Sequence, residues 1–435
     1  MKMLRLGLVG AACVTTAILL AGCGGKSSSS TVTAATVRLI NATPDAALGI
    51  NVTDSAWTLS GVTPGTASAY LSVTPATYTV NLAAADGALT PTAAQSLTLS
   101  SGTNYTILAS ARNNAITAAT FTDSQSTPAT GYLSFRVSNT TGDAGPVDVY
   151  LVAPGTTALT GLAPTFSYVN VGALSGTITI TPGAYRIVVT ALGKQDDVRL
   201  VIPSLTFATG QILTLALTSA GGGAQVDGVL IDQGLAVQLF ANDTRRVRVV
   251  AGIPAGAGSN STVAATVGGT ALAAIVSPSV GAYTVLPAGA NTLAVTIDGT
   301  AVTTVPTQTF AAGGDYTVLV YNTAAAPAVA VFTDSNQSPG YQANLRLVNG
   351  AVPAGGLSLS VNYATAATGV GYGAASSYVG VAPATSELVQ VSSPTTTFVA
   401  TPNPLTNVNV ASSGVYSVFV LGATGSAIVQ LAKDR

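Results

Sequence analysis

The chain has 435 residues, and 15 basic against 16 acidic side chains give it a formal net charge of −1. So weak a charge gives no electrostatic basis for binding nucleic acid or an anionic membrane surface. The sequence contains no His, which excludes Ser-His-Asp and Cys-His catalysis and the common zinc sites. We therefore expect neither a catalytic site nor a bound metal or cofactor.

The first 22 residues have the pattern of an export signal. Lys2 and Arg5 give a basic start, and residues 6–20 are apolar or small apart from two threonines. This run is short for a membrane-spanning helix and fits the core of a signal peptide. It ends in Leu20-Ala21-Gly22-Cys23, which resembles the lipobox of bacterial lipoproteins. The resemblance implies cleavage between Gly22 and Cys23 and acylation of Cys23.

Residues 23–36 follow as a lipidated cysteine and a flexible tether. Gly and Ser dominate the segment after Cys23, and such sequences behave as flexible coils. Several acyl chains on one cysteine would hold the protein to a lipid bilayer, since a single chain binds only marginally. Gly24 stands where an inner-membrane lipoprotein would carry Asp, so the resemblance favours the outer membrane. We therefore expect a cell-envelope protein, facing either the periplasm or the surface.

The rest of the chain repeats one pattern four times, about every hundred residues. Each unit opens on a short apolar strand that contains an Arg, passes a Gly before a late apolar strand, and closes near an Asp. The predicted repeats span residues 37–125, 132–235, 246–336 and 343–435. The opening arginines are Arg38, Arg136, Arg248 and Arg346, and the closing aspartates are Asp123, Asp232, Asp334 and Asp434.

We expect each Arg and the Asp of its own unit to pair across neighbouring first and last strands. A partly buried pair of this kind would fix strand register, and removing one partner would be costly. The functional alternative is four equivalent arginine sites that each bind a ligand.

Within the units, short apolar and polar residues alternate, as in half-buried strands. Tyr78, Val80 and Leu82, for example, alternate with threonine and asparagine. Turn residues interrupt the runs every ten residues or so. The pattern predicts an all-β chain of tandem antiparallel β-sandwich (Ig-like) domains, about seven strands each, joined as a semi-extended string with modest interfaces. In the second unit the positions of Tyr168 and Pro182 predict an insertion around residues 172–179.

The opening segment of the first unit, residues 37–46, reads Val-Arg-Leu-Ile-Asn-Ala-Thr-Pro-Asp-Ala. It resembles a bacterial family known as domain of unknown function 4397. The late marks of the family are present in the first unit at residues 102–106 and 122–123 and in the third at residues 314–318 and 333–334, whereas the second and fourth units match loosely. The resemblance implies a tandem module of lipoproteins and cell-surface proteins, with no known activity and no catalytic residues.

Three function classes remain open. The leading hypothesis is a non-catalytic structural or binding module, with an envelope protein or a glycan as partner. The first alternative is a polysaccharide-acting enzyme that uses paired Asp residues. The second is a membrane β-barrel, which the short, proline-interrupted runs disfavour. Tyrosines at strand positions are expected in the core, and Trp57 is the first residue to test for binding if it is exposed.

Overall fold

The structure is a computed structural model, and it describes residues 33–53, 57–123, 125–233, 237–254, 260–352, 355–394 and 398–435. Its regular elements in these ranges are all β-strands. In the same ranges, no helix is long and apolar enough to cross a membrane. The proposed signal peptide, Cys23 and most of the tether lie outside the described residues.

The first two units contain 17 strands. Those of the first unit are β1 (Ala35–Ala42), β2 (Leu48–Val52), β3 (Leu59–Val62), β4 (Leu71–Val73), β5 (Ala76–Ala84), β6 (Gln95–Leu99), β7 (Asn104–Arg112) and β8 (Ala115–Thr122). Those of the second unit are β9 (Leu133–Asn139), β10 (Val147–Val152), β11 (Phe166–Val169), β12 (Ile178–Ile180), β13 (Gly183–Ala191), β14 (Lys194–Phe207), β15 (Ile212–Ser219), β16 (Val226–Asp232) and β17 (Val237–Phe240).

The third and fourth units have more and shorter strands. Those of the third unit are β18 (Thr244–Ala251), β19 (Thr262–Val267), β20 (Thr270–Ala271), β21 (Ile275–Val276), β22 (Ser279–Val280), β23 (Thr284–Pro287), β24 (Leu293–Ile297), β25 (Thr300–Ala301), β26 (Asp315–Thr323) and β27 (Ala326–Asp334). Those of the fourth unit are β28 (Ala343–Val352), β29 (Leu357–Val361), β30 (Ala364–Val370), β31 (Ala374–Ala375), β32 (Val379–Val381), β33 (Ala384–Ser392), β34 (Ala400–Thr401), β35 (Leu405–Val410), β36 (Val415–Ala423) and β37 (Ala427–Lys433).

Each unit is a sandwich of two sheets, so the predicted all-β tandem fold is confirmed. In the first unit the sheets run β4-β1-β7-β8 and β3-β2-β5-β6, and the other units repeat this order with small additions. Most neighbours are antiparallel, but the first strand of every unit lies parallel to the late strand beside it. The late strand therefore separates the first strand from the last one.

Alternation along the first strand explains why it is buried on both sides. Val37 and Leu39 point into the core of their own sandwich, whereas Arg38 and Ile40 point away from it. Such an outward face can be buried only if another layer covers it. All four first strands are buried almost throughout.

The covering layer is the equivalent sheet of the neighbouring unit. Ile40, Leu108 and Phe121 of the first sandwich pack against Ala216, Val229 and Ile231 of the second. Val250 and Leu319 of the third pack in the same way against Val348, Phe419 and Leu421 of the fourth. The expectation of a semi-extended string with modest interfaces is therefore wrong, because outward apolar residues join the sandwiches in pairs.

The two pairs also meet each other closely. The turn at Gly221 and Gly223 in the second sandwich lies against backbone of the third. A Cβ at Gly223 would lie 2.6 Å from the carbonyl oxygen of Gly313 and 2.7 Å from a carboxylate oxygen of Asp315. Glycine is required there because the two segments of the chain approach each other without room for a side chain.

The insertion in the second unit lies elsewhere than predicted. Ile178 pairs with Phe135 as Leu71 pairs with Val37, so residues 172–179 contain the counterpart of β4 rather than extra chain. Tyr168 lies on β11 and is not the counterpart of Tyr70. The additional residues form the long 153–165 connection between β10 and β11.

Candidate functional site

The repeated arginines occupy one position in all four sandwiches. Each lies on the outward face of a first strand, directly beside a hydroxyl residue on the late strand. The guanidinium Nε donates to that hydroxyl over 2.8–2.9 Å in the pairs Arg38–Thr106, Arg136–Thr214, Arg248–Thr317 and Arg346–Ser417. Each arginine is at most 4% exposed. The arrangement therefore belongs to the interface between sandwiches.

The hydroxyl residue also contacts the closing aspartate in three units. Thr106 donates to Asp123, Thr317 to Asp334 over 2.5 Å, and Ser417 to Asp434 over 2.5 Å. The hydroxyl thus links an Arg and an Asp of the same unit that the late strand keeps apart.

The third and fourth sandwiches exchange their ion pairs. Arg248 Nη1 lies 2.6 Å from Asp434, and Arg346 Nη2 lies 2.5 Å from Asp334. The expected pairing within each unit is wrong here, since the outward guanidinium reaches the partner sandwich instead. Burial works against the charged form, but Asp434 and Asp334 hold the pKa of Arg248 and Arg346 respectively above the ordinary value.

In the first sandwich the ion pair lies within the unit, as predicted, and the arginines of the first and second sandwiches reach only backbone carbonyls of each other's units. Arg38 lies 3.7 Å from Asp123 of its own unit and donates over 3.4 Å to the backbone carbonyl of Asp232. Arg136 donates over 3.1 Å to the carbonyl of Thr122, and no carboxylate lies within 4 Å of it among the described residues. Burial lowers the pKa of Arg136, and nearby Asp123 offsets this in part. The Asp232 carboxylate instead accepts from Gln211 over 3.0 Å.

Tyrosine rings cover three of the four arginines. The guanidinium carbons lie 4.5–4.8 Å from the ring centres in the pairs Arg38–Tyr70, Arg248–Tyr283 and Arg346–Tyr378. Tyr70 donates to Asp123 over 2.5 Å, and burial together with this carboxylate raises the pKa of Tyr70 to about 12. Tyr283 donates to Asp334 over 2.6 Å. These tyrosines are partly exposed, and each packs one ring face on a buried guanidinium of the interface.

These contacts determine what the repeated charges can do chemically. Asp123, Asp334 and Asp434 are at most 5% exposed, and each contacts an arginine. A carboxylate held in this way cannot reach a substrate. A buried ion pair between two sandwiches instead stabilises one relative orientation of them, because any arrangement that breaks the pair leaves an uncompensated buried charge.

A second ionic cluster, absent from the sequence-based prediction, joins three sandwiches. Arg246 donates to both oxygens of Asp315 at 2.8 and 2.5 Å, and to Asp197 of the second sandwich at 3.1 Å. It also reaches the carbonyl of Asp434 in the fourth sandwich at 3.4 Å. Arg199 holds the other oxygen of Asp197 at 2.8 Å. The only sequence signal was that Arg246 precedes the repeated Arg248 by two residues and so shares its face.

A groove lies between the second and fourth sandwiches. Its cavity volume is about 760 Å³, within the range of small-molecule sites. We refer to it as the 2/4 groove, and its principal lining residues are Val171, Leu192, Lys194, Tyr341, Lys433 and Arg435.

Another cavity of about 790 Å³ lies under the 153–165 connection of the second sandwich. Leu159 of this connection packs on Tyr150 and Val188 of the underlying sheet. Arg186 Nη1 anchors the connection by donating to the carbonyl of Thr156 over 2.5 Å. The cavity is therefore a product of the insertion and is peculiar to the second unit.

Trp57 is only 9% exposed and packs on Tyr78 in the first core, so it is not a surface binding residue. Among the described residues, no three His, Cys, Asp or Glu side chains are grouped to hold a metal. Cys23 and the cleavage site at Gly22 lie outside the described residues.

Several solved structures resemble the chain distantly. A candidate cell adhesion protein from Bacteroides uniformis has 13% identity and a TM-score of 0.19, over 48% of this chain and all of the other. A leucine-rich repeat protein from Bacteroides thetaiotaomicron has 14% identity and a TM-score of 0.13, over 41% of this chain and 25% of the other. The pilus adhesin SpaC from Lactobacillus rhamnosus GG has 13% identity and a TM-score of 0.12, over 68% and 42%. No curated protein matches the chain.

The sequence pattern of "Domain of unknown function (DUF4397)" matches residues 35–150 and 245–360. Each match covers one sandwich and the opening strands of the next, and so includes the arginine of both partners in a pair. The two matches together cover more than half of the sequence. The chain therefore belongs to the DUF4397 family and carries two tandem copies of its domain.

Proposed function

We propose that this protein is a lipid-anchored, non-catalytic envelope module whose four sandwiches form one body that presents binding surfaces. The anchor would be acylated Cys23, and the site of attachment the outer membrane. The observation that carries the proposal is how the charged residues are used. In a chain with 7% charged residues, all four repeated arginines are buried between sandwiches, and Arg248–Asp434 and Arg346–Asp334 are ion pairs between the third and the fourth.

A framework of this kind serves display rather than catalysis. Buried ion pairs fix how the sandwiches sit on one another, so surfaces formed between sandwiches keep their shape. The partner would be an envelope protein or a glycan, bound at such a surface. The polysaccharide-acting alternative loses its proposed acids at Asp123, Asp334 and Asp434, because these carboxylates are buried and engaged.

Two measurements test the two halves of the proposal. Full-length wild type and Cys23→Ser are expressed in a Gram-negative host and separated into membrane and soluble fractions. We expect wild type in the outer-membrane fraction, with incorporated fatty acid, and the Cys23→Ser protein without the acyl label. Equal labelling of both would overturn the anchor. Release of reducing sugar ends from envelope polysaccharides by the purified protein would overturn the non-catalytic role.

A further inference from the structure

The 2/4 groove is not formed by any single sandwich. Residues 142–146 and 191–199 of the second sandwich provide one wall, and residues 412–414 and 433–435 of the fourth provide the other. Arg435 spans the groove floor, where its Nε donates to the carbonyl of Asp143 over 2.7 Å and its Nη1 to that of Ser413 over 2.6 Å. The groove thus depends on the assembled body, and an inference about it rests on the proposed display function.

The acidic residues at the groove are already neutralised. Asp143 pairs with Arg112 at 2.8 Å, Asp197 with Arg199 at 2.8 Å, and Asp434 with Arg248 at 2.6 Å. Each of these carboxylates already has an arginine partner, and Asp143 also offsets in part the burial that lowers the pKa of Arg435.

The two lysines at the groove, in contrast, are not paired with any described acidic residue. Within the described part of the chain, Lys194 and Lys433 have no carboxylate within 4 Å. Arg435 donates only to backbone carbonyls. Burial, then the charges of Lys194 and Arg435, lower the pKa of Lys433, so both cations disfavour the charged form of this lysine. A bound anion would relieve this repulsion.

The same groove carries exposed apolar surface. Tyr341 is 94% exposed, and Val171 and Leu192 are 43% and 40% exposed. The ring face of an exposed tyrosine is apolar and its hydroxyl can form hydrogen bonds, so it can bind a ligand with an apolar face and polar edges. Cations next to such a surface favour a ligand that carries a carboxylate on a ring.

We propose that the 2/4 groove binds an acidic saccharide, with its carboxylates on Lys194 and Lys433 and its ring face on Tyr341. A uronic acid polymer has this chemistry, since each sugar presents C–H groups on one face and a carboxylate at its edge. A nucleic acid fits less well, because its phosphate backbone requires a longer basic stripe than three cations.

The test uses the chain from Gly24 onward, which retains every described residue. Oligomers of galacturonate, alginate and hyaluronan are titrated by calorimetry, and their methyl esters serve as uncharged ligands of the same ring structure. The variants are Lys194→Gln, Lys433→Gln and Tyr341→Ala. Lys26→Gln is the matched control, because it removes the same charge from the segment that the sequence predicts to be a tether.

At least one acid oligomer is expected to bind while its ester does not. Each groove lysine variant should weaken binding by about tenfold to a hundredfold, the range for hydrogen bonds to charged groups. Tyr341→Ala should weaken binding with an unchanged melting temperature, and Lys26→Gln should bind as wild type. Binding of none of the three acids, equal binding of the esters, or lysine variants that bind as wild type would each overturn the proposal. The Cys23 fractionation and the sugar-release assay remain independent of these results.

Discussion

Arg346 and Asp334 belong to different sandwiches, yet their side chains meet at 2.5 Å where both are almost fully buried. Asp334 also accepts from Thr317 of its own sandwich and from Tyr283. The carboxylate therefore joins a strand pair of the third sandwich to the first strand of the fourth. The reciprocal contact of Arg248 with Asp434 makes the interface symmetric in its chemistry.

Asp334→Ala is expected to lower the free energy of unfolding by about 3–5 kcal/mol, because it leaves the Arg346 guanidinium buried without a carboxylate. Chemical denaturation of the chain from Gly24 onward measures this change. Asp45→Ala, at an exposed position, is the control and should change stability by less than about 0.5 kcal/mol. Equal stability of the two variants would mean that the exchanged pair does not hold the sandwiches together.

Arg136→Met should cost far less than Arg248→Met. Arg136 has no carboxylate within 4 Å in the described residues, so its replacement by an apolar side chain leaves no buried charge behind. Arg248→Met leaves the buried Asp434 carboxylate without its ion-pair partner and should lower the free energy of unfolding by about 3–5 kcal/mol. The two variants are compared in the same denaturant series, where each provides the control for the other. A cost for Arg136→Met as large as that for Arg248→Met would contradict this account of the interface.

The repeat pattern singled out the recurring arginines and aspartates, but it predicted neither their place between sandwiches nor the partners of Arg248 and Arg346. Arg38 and its three counterparts recur because each lies on an outward strand face, and such a recurrence is visible in sequence. The partner of Arg248 depends on how two sandwiches pack, and no local pattern carries that information. Lys433 and Tyr341 have no repeated counterparts, so their convergence at the 2/4 groove could come only from the tertiary structure.

Gly223→Ala tests the close approach of the two sandwich pairs. The added Cβ would lie 2.6 Å from a backbone oxygen of the third sandwich, so one of the two backbone segments must shift. Overpacking of this kind costs about 1–3 kcal/mol. Gly176→Ala is the matched control, since a Cβ there meets no atom within 4 Å and the backbone conformation needs no glycine. Similar melting temperatures for the two variants would show that the junction is looser than described.

Asp227→Asn is expected to stabilise the protein at pH 8. Burial raises the pKa of Asp227 to about 6. The backbone N–H of Asn242, which donates to the Asp227 carboxylate over 2.7 Å, opposes this shift. Because the folded state binds this proton more tightly than the unfolded state, stability falls as pH rises from about 4, the ordinary Asp value, to about 6. Above that window the folded chain retains the full cost of the partly buried charge. The side-chain amide of Asp227→Asn removes this charge while keeping an oxygen acceptor.

Below about pH 4 the carboxyl is neutral in both states, so the advantage of the amide should disappear. Unfolding free energies of wild type and Asp227→Asn at pH 3.5 and pH 8 measure the difference. Asp45→Asn removes an exposed carboxylate and should be nearly neutral at both pH values. An Asp227→Asn advantage of the same size at both pH values would exclude titration of Asp227 as its cause, and a loss of stability at pH 8 would show that the charged carboxylate is favoured in the fold.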